Sequence, residues 1–79
     1  MIELKSKYME AIIQAATGTT WRWWITSKSS GDTLGSIRWY GPWRQYCFFP
    51  TEGTLFNSGC MESLVEFLKE ANVEQRSKP

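Results

Sequence analysis

Histidine is absent from the 79 residues. That excludes Ser-His-Asp and Cys-His nucleophile systems, imidazole acid–base chemistry near neutral pH, and every zinc site that needs an imidazole. Cysteine is scarce. Cys47 and Cys60 fall short of the four thiolates of an all-cysteine zinc site, so neither a metal nor another cofactor is expected. A single disulfide between them stays open, but nothing points to secretion, and the expected setting is a reduced cytoplasm. Long apolar runs are also missing. The start, Met1-Ile2-Glu3-Leu4-Lys5-Ser6-Lys7, mixes acid and base, and Ala11 to Ile13 with Ala15-Ala16 are too short for a signal core. No stretch approaches the roughly 18 apolar residues of a membrane span, so no membrane partner is expected.

Net charge is lacking as well: nine Lys/Arg against eight Asp/Glu leave +1. This excludes an acidic DNA mimic and a protein that coats nucleic acid by charge alone. The sequence is rich in rings instead, with five Trp, three Tyr and four Phe. A chain with that many aromatics folds, and at this length it folds as one domain, residues 1–79. Ten of the rings lie between Trp21 and Phe56. The charge is segregated too. Residues 20–50 hold Arg22, Lys28, Arg38 and Arg44 against Asp32, while residues 51–75 hold Glu52, Glu62, Glu66, Glu70 and Glu74 against Lys69. A basic aromatic centre thus precedes an acidic C-terminal third.

Met9, Ile12, Ile13 and Ala16 stand at i, i+3, i+4 and i+7, which predicts a helix over 4–16, within an N-terminal unit 1–19, with Gly18 as its stop. From Thr20 the period changes to two. Trp21, Trp23 and Ile25 alternate with Arg22, Trp24 and Thr26, and Ser29-Ser30-Gly31-Asp32 forms a turn. A second strand over 33–40 puts Gly35, Ile37 and Trp39 on one face and Ser36, Arg38 and Tyr40 on the other. Gly41-Pro42 is a turn, a third strand runs from Arg44 to Phe49, and Thr54 to Phe56 can add a short fourth within the meander 20–56. Asn57 or Ser58 can cap a last helix over 57–72, with Met61, Leu64, Val65 and Leu68 as its apolar stripe, Phe67 beside them, and Asn72 as a C-terminal cap. Residues 73–79 read as a flexible tail. The expected fold is α+β: a small antiparallel meander of three to four strands with an N-terminal and a C-terminal helix packed on one face.

No polar constellation for catalysis assembles, so an enzyme is not expected and no catalytic residue is assigned. Glu62, Glu66 and Glu70 read as the solvated face of a helix. Cys47 has no base beside it and reads as small apolar filler, and Cys60 as packing at a helix start. Gly31, Gly35, Gly41, Gly53 and Gly59 are scattered and form no phosphate loop. Strand parity instead gathers Trp21, Trp23, Ile37, Trp39, Cys47 and Phe49 as core. It leaves Arg22 with Trp24, Arg38 with Tyr40, and Arg44 with Tyr46 on the other face. Together with Trp43 these are the candidate partner-binding residues. Rings interleaved with guanidinium groups suit a protein interface or a stacking platform for single-stranded nucleic acid; they also suit cation–π cladding that binds nothing.

The segment from Leu34 to Pro50, LGSIRWYGPWRQYCFFP, resembles a motif of small hypothetical phage and prophage proteins, of the form LGxIxWYxPWRxYxFxP. The likeness extends to Cys60-Met61 and Phe67 and so spans residues 21–70, with 1–19 outside it. The resemblance implies a viral or mobile-element origin more than an activity. Small phage proteins without catalytic residues often bind and block a host machine, so the expected role is a non-enzymatic protein that docks on a host or phage protein. An inhibitor of host defence, anti-CRISPR-like or anti-restriction, fits that class. The alternatives are a single-stranded nucleic-acid-binding module, and a phage structural or self-associating subunit such as a homodimer.

Overall fold

The structure, a computed structural model, describes residues 2–77. Strands β1 (Met9–Thr17), β2 (Thr20–Ser27), β3 (Thr33–Tyr40) and β4 (Gln45–Pro50) form one antiparallel sheet in the order β1-β2-β3-β4. A 3-10 turn (Gly41–Trp43) joins β3 to β4, and the helix α1 (Ser58–Arg76) follows. The domain is α+β, as the alternation of periods predicts. Among the described residues no helix is long and apolar enough to cross a membrane.

The N-terminal helix is not formed: residues 9–17 are an edge strand. The apolar residues of this segment satisfy two periods at once, and the strand period prevails. Met9, Ala11 and Ile13 oppose Ser27, Ile25 and Trp23, and Met9 and Ala11 join the core. An isolated helix of this length is marginal in water, whereas β1 gains a full ladder against β2. Gly18 is therefore a hairpin residue and not a helix stop. Thr17 pairs with Thr20 across a two-residue loop, and Gly18 takes φ +60°, the positive angle that a hairpin turn of type II′ requires at its first central position. Upstream, Leu4 is buried and Ile2 packs against the core cluster. The Ser6 hydroxyl accepts from the backbone N–H groups of Tyr8 and Met9.

The fourth strand is thus β1 and not 54–56, which stays irregular. Gly53, at φ +82°, turns the chain, Thr54 bonds back to the Thr51 carbonyl, and Phe56 packs edge-on against Phe48 at 5.3 Å. The segment is a strap that delivers α1 to the sheet. Asn57 caps the helix, its Oδ1 accepting from the Cys60 N–H at 2.8 Å. The buried stripe is Leu64, Phe67 and Ala71, with Leu68 packed beside them, while Met61 and Val65 are exposed. The helix also continues past Asn72 to Arg76. Asn72 is no cap, because its Oδ1 accepts from the Tyr46 N–H at 2.7 Å and so pins the helix to β4. Most of the expected tail is the last turn of α1; residues 78 and 79 lie outside the described residues.

The strand β4 presents the opposite parity to the one expected. Four residues, 41–44, connect Tyr40 to Gln45, which face each other. Directly opposed residues share a face, so Tyr46 joins Trp39 on the helix side, and Cys47 and Phe49 join Arg38 and Ser36 on the other. Gly35 permits the close approach of β4, since a Cβ there would lie 2.6 Å from both the Phe49 carbonyl oxygen and the Phe48 ring.

Tyr46 consequently sits in the core at 3% exposure, edge-on to Trp23 at 5.4 Å and Trp39 at 5.3 Å. Its hydroxyl accepts from the Trp21 N–H at 3.1 Å and donates to Gln75 Oε1 at 3.0 Å. Burial raises its pKa above the ordinary 10.0; the bond from Trp21 opposes this and the Glu74 carboxylate adds to it. A phenol that ionises later when folded contributes stability that is complete below the unfolded value of 10.0 and is lost as pH rises through the folded value. Thermal unfolding between pH 8 and 11 is therefore expected to show an alkaline loss of stability that shrinks in Tyr46→Phe. That variant is also expected to be about 1–2 kcal/mol less stable at neutral pH, because the Trp21 N–H loses its acceptor.

Candidate functional interface

The helix and the N-terminal segment occupy one side of the sheet, which leaves the other side open. Two rows of side chains cross that open face. One row is Ile12, Trp24, Ser36 and Phe49; the next is Ala15, Arg22, Arg38 and Cys47. Tyr40 continues β3 beyond the second row. Trp24 is 39% exposed, Ile12 48% and Tyr40 36%. Of the sequence candidates, Arg22, Trp24, Arg38 and Tyr40 share this face. Trp43 and Arg44 stand at its end, in the β3–β4 connection.

Tyr46 is a correction: it is on the opposite face, and Phe49 takes the place expected for it. Phe49 is read correctly once the connection is known to hold four residues, a length the sequence leaves ambiguous beside Gly41-Pro42. Ile12 reaches this face only because residues 9–17 form a strand and not the expected helix.

Arg22 directly opposes Arg38 on the neighbouring strand. Like charges placed so destabilise a sheet, and among the described residues neither arginine is ion-paired. Their situations differ. The Arg38 guanidinium lies 3.7 Å above the centre of the Phe49 ring and is half-buried, so it is clad by a neighbour. Arg22 is exposed. Lys28, just past the end of β2, donates its ammonium to the Ser6 carbonyl at 2.8 Å. The acids Glu62, Glu66, Glu70 and Glu74 are exposed on α1, on the other side of the sheet, so the segregation of charge along the chain becomes a segregation between two faces.

At the end of the face, Trp43 is 66% exposed and meets Tyr40 edge-on at 5.1 Å. Arg44 follows with φ 51°, the single positive value outside glycine among the described residues, and its N–H bonds the Gly41 carbonyl. That conformation costs a residue with a Cβ about 1–2 kcal/mol, and it is held by a residue whose head group is exposed. Arg44→Gly is expected to leave the midpoint of denaturant unfolding unchanged or higher. A clear loss of stability would show that Arg44 is there for the fold.

Other candidate sites are weaker. A cleft of about 250 Å³ lies between Ile2, Trp21, Trp23, Tyr46 and Gln75, below the roughly 300–1,000 Å³ of small-molecule sites, and the Tyr46 hydroxyl inside it is already bonded on both sides. Cys47 and Cys60 are free and lie on opposite faces of the sheet, so they do not form the disulfide that the sequence left open.

No family model matches the chain, and no solved structure matches it. Among curated proteins, an uncharacterized 9.3 kDa protein of Acholeplasma phage L2 is 25% identical over 52 residues, covering 66% of this chain and 67% of its own length. In sequence, then, the chain is similar to a small phage protein of unknown function.

Proposed function

We propose that the protein is a non-enzymatic phage or mobile-element protein that docks its open sheet face on a host or phage protein. One observation carries the reading: Arg22 and Arg38 face each other with no carboxylate paired to either among the described residues, beside the half-exposed rings of Trp24 and Tyr40. An uncompensated like-charge pair is costly to the fold, and Trp, Tyr and Arg are the side chains that dominate protein-interface hot spots. A partner carboxylate placed between the two guanidinium groups would relieve the repulsion and gain charge-assisted hydrogen bonds. Blocking a host defence enzyme, in the manner of anti-CRISPR or anti-restriction proteins, is one role such docking serves.

Single-stranded nucleic acid is the second reading, and the geometry favours it less. The Phe49 ring is covered by Arg38 on one side and so is closed to a base there. With Lys28 committed to Ser6, three arginines remain, which implies a salt slope of only about −2 for a single strand. Capture from a host-cell lysate, with and without nuclease and over a salt series, separates the two. The protein reading expects capture that survives nuclease and responds weakly to salt. Capture abolished by nuclease would replace it with the nucleic-acid reading.

A further inference from the structure

The edge strand β1 points to a second copy of this chain as its partner. The inference is independent of the open-face reading, because it rests on the backbone edge and not on the arginines.

The Lys28 N–H bonds the Tyr8 carbonyl at 2.8 Å, which places Tyr8 and Lys28 at a hydrogen-bonding position of the ladder, although the Tyr8 N–H itself goes to the Ser6 hydroxyl. Hydrogen-bonded and open pairs alternate along an antiparallel ladder. Ile12 therefore bonds inward to Trp24, while Met9, Ala11 and Ile13 direct their N–H and C=O groups away from β2, where the sheet has no further strand. At one end the Ser6 hydroxyl takes the Met9 N–H. At the other, the register shifts between Ile13 and Ala15, a bulge at Gln14 that ends the regular stretch. The regular outward groups left are those of Ala11 and Ile13.

Two residues spaced by two form a self-complementary edge. We infer that two copies pair antiparallel across a two-fold axis at Ile12. Ala11 of each copy then bonds Ile13 of the other, and the two Ile12 side chains meet in an open pair, the closer kind of cross-strand contact. Glu10 falls opposite Gln14 of the second copy, so no like charges are opposed. Between Glu10 and the bulge at Gln14 the strand carries no edge protection: it contains no Lys, Arg or Pro, and no charge lies between Ala11 and Thr20. The other edge, β4, is shorter at six residues and ends in Pro50. Pairing through β1 would join the rows of the two open faces, Ile12 to Ile12, into one continuous surface.

Light scattering over a concentration series tests this. The full chain is expected to pass from 9.2 kDa toward twice that mass. Ile12→Lys, which places like charges on the axis, and Ala11→Pro, which removes an outward N–H, are each expected to lower the association constant about tenfold or more, with circular dichroism unchanged. Because proline also restrains the backbone of β1 itself, the register is read a second way. In a Cys47→Ser, Cys60→Ser background, Ile12→Cys is expected to form a disulfide-linked dimer under mild oxidation and Glu10→Cys to form none. A chain that stays at 9.2 kDa, a dimer indifferent to Ile12→Lys, or cross-linking through Glu10→Cys in place of Ile12→Cys would each overturn the proposal.

Discussion

Replacing Trp23 with alanine is expected to remove about 3–5 kcal/mol of stability, a large share of the roughly 4–12 kcal/mol that a domain of this size has at about 0.05–0.15 kcal/mol per residue. Trp23 is 6% exposed and is the ring on which sheet and helix meet, edge-on to Tyr46 at 5.4 Å and to Phe67 at 5.1 Å. Its removal leaves a cavity walled by two aromatic rings whose backbones are fixed, one by a strand ladder and one by a helix, so the site cannot collapse to fill it. The neighbouring Trp24 is the internal control. Its side chain is on the open face, and Trp24→Ala is expected to cost less than about 1 kcal/mol. Urea unfolding of the two variants side by side checks this; similar losses would mean that the faces of β2 are assigned wrongly.

Binding is expected to reverse that ranking. The double variant Arg22→Glu, Trp24→Ala removes an exposed cation and an exposed ring from adjacent rows of the open face. Two interface anchors of this kind are together worth about 3 kcal/mol or more, or roughly 100-fold in affinity. Their stability cost is small, and the glutamate gains attraction from Arg38 on the facing strand. Arg38→Glu is a less clean probe, because its guanidinium covers Phe49 at 3.7 Å and its loss exposes that ring. Arg22, which no ring or carboxylate holds among the described residues, separates recognition from cladding. In affinity measurements with the captured partner, the double variant is expected to fall at least as far as Arg38→Glu while unfolding at a higher urea concentration than Arg38→Glu does.

The central hairpin was legible because its signals agree. Alternation in Trp21 to Ile25 and in Gly35 to Trp39, with a polar turn between them, allows one pairing, and it placed Trp23, Ile37, Arg22, Trp24, Arg38 and Tyr40 on their correct faces. The first segment was not legible because Met9, Ile12, Ile13 and Ala16 fit a helix as well as Met9, Ala11 and Ile13 fit a strand. Only the long-range ladder to β2 decides between them. The face of Tyr46 is not legible for a different reason: parity is inherited across a turn, and one residue more or less in 41–44 exchanges every side chain of β4 between faces. The C-terminal helix is legible but its end is not, since Asn72 looks like a cap in sequence and serves as a bond to β4 in space.

The most direct test that the open face is a recognition surface is made on one preparation of the Arg22→Glu, Trp24→Ala variant. Its melting temperature and its capture of nuclease-resistant partners from host-cell lysate are measured beside those of the unaltered chain. A melting temperature within a few degrees of the original, together with loss of capture, is the predicted result. Capture that persists, or a loss of capture matched by an equal loss of folded protein, would contradict it.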